Sequence, residues 1–144
     1  MHEHPAWWED AARWFSDKWD IPPKVYLDSF AERARAVYGV PAWYLVRDPD
    51  GAILAGIGVI ENDFHRRSDK TPNLCALYVE PAARGRGIAR ALLAHACAAL
   101  ASHGVRDAYL ITSHTSFYER CGWEFDGMIE ENDGSPIRLY HRAL

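Results

Sequence analysis

The sequence predicts an α/β protein: a mixed sheet with helices on its faces and a strand–helix–strand unit at its centre. Three observations carry that reading. Apolar runs of strand length (WYLVR, NLCALYV, DAYLIT) are interleaved with stretches of helical period. Turn residues divide the strand regions at both ends into hairpins. The stretch EPAARGRGIARALL, Glu80 to Leu93, joins one apolar run directly to a helix through two glycines and three arginines.

The elements follow in order. Pro5 to Trp19 carries Trp7, Ala11, Ala12, Trp14, Phe15 and Trp19 mostly at helical spacing. Pro22 and Pro23 break that helix and open a second, Lys24 to Tyr38, with Val25, Leu27, Phe30 and Ala34 inward. Pro41 marks the change to strands. Trp43 to Arg47 and Ala52 to Ile60 form a hairpin about the turn Asp48 to Gly51. Glu61 to Pro72 is polar and reads as a long loop, and Asn73 to Glu80 as a strand stopped by Pro81. Gly87 to His103 is a helix with Ile88, Leu92, Leu93, Ala96 and Leu100 on one face. Asp107 to Thr112 is a short strand, and a brief helix, Thr115 to Arg120, ends at Cys121-Gly122. Trp123 to Ile129 and Ile137 to Arg142 close the chain as a hairpin around ENDGSP. Six strands result, with a right-handed parallel crossover from Asn73 to Thr112 and antiparallel hairpins.

The totals narrow the function classes. The chain of 144 residues, 49% hydrophobic and 25% charged, reads as one domain, 1–144, without repeat or linker. Its polar, acidic N-terminus has no signal-peptide core, and no apolar run approaches the ~20 residues that span a bilayer. Three widely spaced cysteines, Cys75, Cys97 and Cys121, do not make a disulfide framework and fit a reducing cytoplasm. A formal charge of −4 argues against a nucleic-acid binder.

Against that acidic background the arginines of the opening stretch are concentrated locally. Glycines there let bare backbone N–H groups face outward, and a helix start adds unpaired N–H groups and partial positive charge. The combination suits an anion, most plainly a phosphate; a solvated helix start is the plainer account of the same residues. A dinucleotide fingerprint fails because Arg90 stands where the third glycine belongs, and a P-loop fails for want of lysine followed by serine or threonine.

Arg84-Gly85-Arg86-Gly87-Ile88-Ala89 resembles the acetyl-CoA signature of the GNAT superfamily of N-acetyltransferases, Arg/Gln-x-x-Gly-x-Gly/Ala, here after Leu77 to Pro81 (LYVEP). About thirty residues on, Ser116 to Trp123 (SFYERCGW) is similar to the family's FYEKLGF segment. The resemblance covers most of the chain from Trp43 onward. It implies a GNAT-like fold of about six strands with a β-α-β cofactor core and an N-terminal helix pair. The family's first edge strand is missing, since MHEHPA offers too little to form it. A homodimer is compatible with this, a second chain supplying that strand.

The same resemblance implies acetyl-CoA as cofactor, its pantetheine arm entering between splayed parallel strands, Asn73–Glu80 and Asp107–Thr112. The backbone of Leu77 and Val79 would hold the arm, and backbone N–H groups from Gly85 to Ala89, Ile88 included, the pyrophosphate. Arg84, Arg86 and Arg90 would add charge. Where the family often has asparagine, this chain has Ser113-His114-Thr115, so His114 and Ser116 are candidates for that cofactor contact.

Acetyl transfer to an amine needs a neutral amine, a donor for the developing oxyanion and a proton for the departing thiolate. The donor is a backbone N–H near Leu77 or Tyr78. Tyr118 matches the family's frequent tyrosine acid; a packed aromatic is the alternative. Glu61 is preferred as base, with Asp63 and His65 as rivals, all three also candidates for substrate binding. His2 and His4 lack a second ligand pair, so no metal is expected. His95 and His103 belong to a helix surface, and Cys121 to packing. Acidic residues in the first helices (Glu9, Asp10, Asp17, Asp20, Asp28), after the second strand (Glu61, Asp63) and in the final hairpin (Glu130, Glu131, Asp133) favour a small polycationic acceptor. An aminoglycoside antibiotic leads, then a polyamine. Trp7, Trp8 and Trp14 would wall its pocket or lie in the core. A peptide N-terminal acetyltransferase and a non-catalytic acyl-CoA sensor are the competing functions. No nucleic acid or membrane partner is expected.

Overall fold

The computed structural model describes residues 1–36 and 38–144, Ala34 by its backbone alone. Helix α1 (Trp8–Trp19) follows a 3-10 turn, Pro5–Trp7, and α2 (Pro23–Glu32) continues into a second such turn, Arg33–Arg35. Strands β1 (Ala42–Arg47), β2 (Ile53–Ile60) and β3 (Asn73–Val79) come next. After a 3-10 turn, Pro81–Ala83, come α3 (Ile88–Ser102), β4 (Asp107–Thr112), one-turn α4 (Phe117–Arg120), β5 (Glu124–Glu130) and β6 (Pro136–Ala143). The six strands form one sheet in the order β1-β2-β3-β4-β6-β5. Every neighbouring pair is antiparallel except β3 and β4, which run parallel as the crossover through α3 requires.

The expected mixed sheet and its six strands are therefore present, with boundaries within a residue or two. The exception is α2, expected to run to Tyr38. It stops at Glu32, and Ala36 is already extended, at φ −62° and ψ 134°. The expected burial of Ala34, and the helix's passage through Val37, lie outside the described residues. The inward face is also turned by one residue. Tyr26 and Phe30 are buried one helical turn apart, whereas Val25 stands 49% exposed. Large rings set this phase: Tyr26 stacks on Phe15 at 5.3 Å and meets the edge of Trp43 at 5.4 Å.

Strand β2 divides the two layers by its period of two. Ala55, Ile57 and Val59 face Leu92, Leu93, Ala96 and Leu100 of α3 in the larger core. On the opposite face Gly56 and Gly58 leave a flat track for the aromatics of the N-terminal helix pair. A Cβ at Gly58 would lie 2.5 Å from the Trp43 ring, and one at Gly56 2.7 Å from Phe15. Trp43 is paired with Gly58 across the β1–β2 ladder, so the indole occupies the room the missing side chain leaves. Phe15, Tyr26, Phe30 and Trp43 build a second apolar cluster there.

Two irregularities position the site. Pairing between β3 and β4 is confined to Asn73 and Tyr109, where the Tyr109 N–H donates to the Pro72 carbonyl at 3.0 Å. Beyond that point the two strands share no rung. Strand β3 also carries a bulge: Gly56 pairs Tyr78 and Gly58 pairs Cys75, leaving both Ala76 and Leu77 opposite Ile57. Ala76 there takes a left-handed φ of 53°.

Candidate active site

Where β3 and β4 part, a cavity of about 660 Å³ opens through the sheet. Its walls are Leu74 to Leu77 of β3, Leu110 to Thr112 of β4, Tyr118 of α4 and, on the other side, α2 through Tyr26 and Ser29. The bulge sits in this wall. The bulge residues Ala76 and Leu77 bring their backbone to the cavity edge.

The glycine-rich turn lies past the C-terminal end of β3, at the open end of the split. Gly85 and Gly87 have φ of 79° and 76°, and no side chain caps the start of α3. A Cβ at either glycine would meet nothing within 4 Å. The left-handed backbone is what demands glycine here, and it turns exposed N–H groups outward at a helix start. Arg86 and Arg90 are exposed, and Ala89 half-buried. Arg84 braces the turn, its Nε donating to the Val79 carbonyl at 2.9 Å and its guanidinium lying 5.4 Å from the Tyr78 ring. The adjoining Glu80 carboxylate accepts from Trp14 Nε1 at 2.8 Å and from Lys18 Nζ at 2.6 Å, tying α1 to the end of β3. Its pKa is lowered, chiefly by the bond from Lys18. Ile88 and Val79 each pack against the larger core.

Two cavity-lining groups have chemistry to offer. The Tyr118 hydroxyl is pushed up to about 12, mainly by burial, with Cys121 and Asp63 adding to it. It is a phenol that keeps its proton at neutral pH. The Asp63 carboxyl is pushed up to about 6, again mainly by burial, with Glu131 contributing. That brings a proton acceptor close to the operating range of a general base.

The other sequence candidates separate. Glu61 is exposed and is not among the described residues lining the cavity; its carbonyl accepts from Asn73 Nδ2 at 3.0 Å. His65 is 3% exposed, and the fold uses both of its ring nitrogens. Nδ1 accepts the Arg67 N–H at 3.2 Å, leaving Nε2 to donate to Asn73 Oδ1 at 2.7 Å. Asn73 Nδ2 donates also to the Lys70 carbonyl at 2.7 Å, so His65 and Asn73 fasten the loop at the root of the split. His114 reaches the cavity; Ser116 is exposed, and its Oγ accepts from Arg120 at 3.1 Å.

The loop that carries Asp63 is held by the last hairpin. His65 bridges Glu131, the Arg66 N–H donates to the Glu130 carbonyl at 2.9 Å, and the Asn132 N–H to Phe64 at 2.8 Å. Asp28, Glu32, Asp63 and Glu131 line the cavity, and no lysine or arginine does among the described residues. Tyr26, unmarked as a site residue in the sequence, is the other addition. Its signal was its position one turn before Phe30, in the phase that the aromatic cluster buries.

A family model described as an acetyltransferase (GNAT) domain matches residues 41–125. No curated protein sequence matches the chain. Among solved structures, an aminoglycoside 6'-N-acetyltransferase complexed with coenzyme A is 20% identical, covering 96% of this chain and 91% of its own, at a TM-score of 0.65. Aminoglycoside 6'-acetyltransferase type Ii is 22% identical over 99% of this chain and 93% of its own, also at 0.65. An acetyltransferase of the GNAT family from Streptococcus pneumoniae is 14% identical over 86% and 78%, at 0.64. At these identities the likeness is one of fold.

Proposed function

The chain belongs to the GNAT family of acetyltransferases, and from that premise we propose that it moves the acetyl group of acetyl-CoA to a primary amine of a small polycationic molecule. The observation that carries the proposal is the cavity at the β3–β4 split, which holds a proton donor, a proton acceptor and, among the described residues, carboxylates without lysine or arginine. An aminoglycoside is the leading acceptor and a polyamine the next, because distributed carboxylates suit several ammonium groups at once. The resemblance in fold to two aminoglycoside 6'-acetyltransferases supports the same order.

The residues present fit the coenzyme. The left-handed Gly85–Gly87 turn and the uncapped start of α3 offer N–H groups to a pyrophosphate, with Arg86 and Arg90 beside them. The free edge of β3 offers backbone at Leu77; the Val79 carbonyl already accepts from Arg84. When bound, the coenzyme supplies an acyl carbon activated as a thioester. Asp63, as carboxylate, takes a proton from the acceptor's ammonium or from the attacking nitrogen. Backbone N–H groups at the Ala76–Leu77 bulge would be the donors for negative charge developing on an acyl oxygen. Tyr118 Oη, which keeps its proton at neutral pH, would be the proton source for a departing thiolate.

The test is release of free thiol when purified protein meets acetyl-CoA and a panel of amines. Release with aminoglycosides or polyamines is the expected result. Saturable acetyl-CoA binding without release from any amine would leave a sensor, and a response confined to peptides would replace the acceptor class.

A further inference from the structure

Six large apolar side chains stand exposed among the described residues, and three of them, Trp19, Val25 and Phe64, line this one cavity. Single exposed apolar residues are ordinary on a protein surface, but a group of them about one opening marks a place where apolar matter is received. Trp19 is 43% exposed, Val25 49% and Phe64 53%, so each faces both the cavity and the solvent and stands at the mouth. They come from three parts of the chain: the last residue of α1, the first turn of α2 and the loop between β2 and β3. Only the fold brings them together.

Phe64 is held at this rim by its backbone. Its φ of 61° lies in the left-handed region, which a bulky residue keeps only where its surroundings fix it. They do so on both sides. The Asn132 N–H donates to the Phe64 carbonyl at 2.8 Å. The next residue, His65, donates its N–H to Asn62 Oδ1 at 3.0 Å, and its carbonyl accepts from Asn62 Nδ2 at 3.0 Å. Asparagine or glycine would take this backbone with less strain, yet the position carries an aromatic ring that the fold leaves about half in water.

The charge behind the rim decides what kind of apolar molecule suits it. Glu32, Asp63 and Glu131 line the same cavity, and no described residue forms an ion pair with any of the three. Asp28, the fourth carboxylate there, is already paired with Lys24 at 2.6 Å. A neutral hydrocarbon would leave the carboxylates unanswered, and a bare polyammonium would leave the apolar rim in water. An ammonium group joined to an aryl or alkyl group answers both, and aromatic faces add their own attraction for a cation.

Resting on the acetyl-transfer reading, we propose that the cavity mouth is a subsite for an apolar group carried by the acceptor, with Phe64 and Trp19 as its specificity-determining walls. Among polycationic amines, those bearing an aryl or alkyl substituent are then taken in preference to those without one. The preference grows with the apolar area covered, because that is the surface removed from water.

The experiment compares propane-1,3-diamine with its N-benzyl derivative, which keeps both nitrogens and adds one apolar ring. Their binding to the coenzyme A-loaded protein is measured by calorimetry, for the wild type and for Phe64→Asn, Trp19→Gln and Met128→Ser. Asparagine tolerates the left-handed backbone at position 64, and Trp19→Gln repeats the test on a different element. Met128, 56% exposed on β5 and outside the described cavity lining, controls for unspecific adhesion of the benzyl group. The wild type is expected to favour the benzyl diamine by about tenfold, at least one rim variant to bring that preference within about threefold, and Met128→Ser to keep it. No binding of either diamine, a wild-type preference under about threefold, a preference kept by both rim variants, or an equal loss in Met128→Ser overturns the assignment. Thiol release from acetyl-CoA with the same diamines is scored separately. Preference without release removes the transfer reading and keeps the apolar subsite, whereas release without preference does the reverse.

Discussion

Tyr118 and Asp63 face one cavity with opposite habits, one holding a proton at neutral pH and the other ready to take one. If Tyr118 is the acid, Tyr118→Phe should lower turnover by about 10²-fold or more while acetyl-CoA affinity stays within about twofold. Steady-state rates beside a coenzyme titration check this, and an unchanged turnover would remove Tyr118 from the chemistry. For Asp63 the sign of the pH effect follows from its shift upward from 3.8 to about 6. The folded protein binds that proton more tightly than the unfolded chain does, so this group's contribution to stability is full below pH 4 and is lost as pH rises through 6. Asp63→Asn should match the wild type near pH 4 and exceed it by about 3 kcal/mol at pH 8, while losing the limb of the rate profile near pH 6. Denaturant melts and rates across that range test both parts together. The sequence puts Glu61 first as base, yet in the fold Glu61 is exposed and outside the cavity lining, whereas Asp63 lines it. The contacts that hold the Asp63 loop to the last hairpin, through His65, Phe64 and Glu131, leave no local mark in the sequence.

At the scale of the element, β2 shows why strands were easier to read than the face of α2. Its alternation of Ala55, Ile57 and Val59 with Gly56 and Gly58 is written residue by residue, and each half faces a different layer. The glycines are part of the packing. Gly58→Ala would drive a methyl to 2.5 Å from a buried indole held by Ser29 and should cost about 1–3 kcal/mol, read as a lowered unfolding midpoint. A change under about 0.5 kcal/mol would mean that Trp43 has room to move. Helix α2 offered two apolar phases, one through Val25 and one through Tyr26, and only the rings of Phe15 and Trp43 decide between them. The bulge at Ala76 had no signature either, since an alanine at a φ of 53° does not announce itself as a glycine would. The turn at Gly85 and Gly87 did announce itself, because its positive φ values all but require the residue found there.

For the whole molecule the net charge of −4 understates the asymmetry. Acids line the cavity at Asp28, Glu32, Asp63 and Glu131, while Arg84, Arg86 and Arg90 crowd the exposed turn past β3. A field of that form draws an anion to one end of the split and a cation to the other. The KM for an acceptor with several positive charges should therefore rise steeply between about 50 and 500 mM salt, and that for a monoamine much less. Equal salt responses would mean that the carboxylates are spectators.

The sheet itself is two three-stranded ribbons sutured at Asn73 and Tyr109, and elsewhere along that line no main-chain rung crosses. An extended molecule laid in the gap would serve as mortar, joining ribbons that the polypeptide leaves apart. Occupancy of the gap would then also set how firmly the two ribbons are held together.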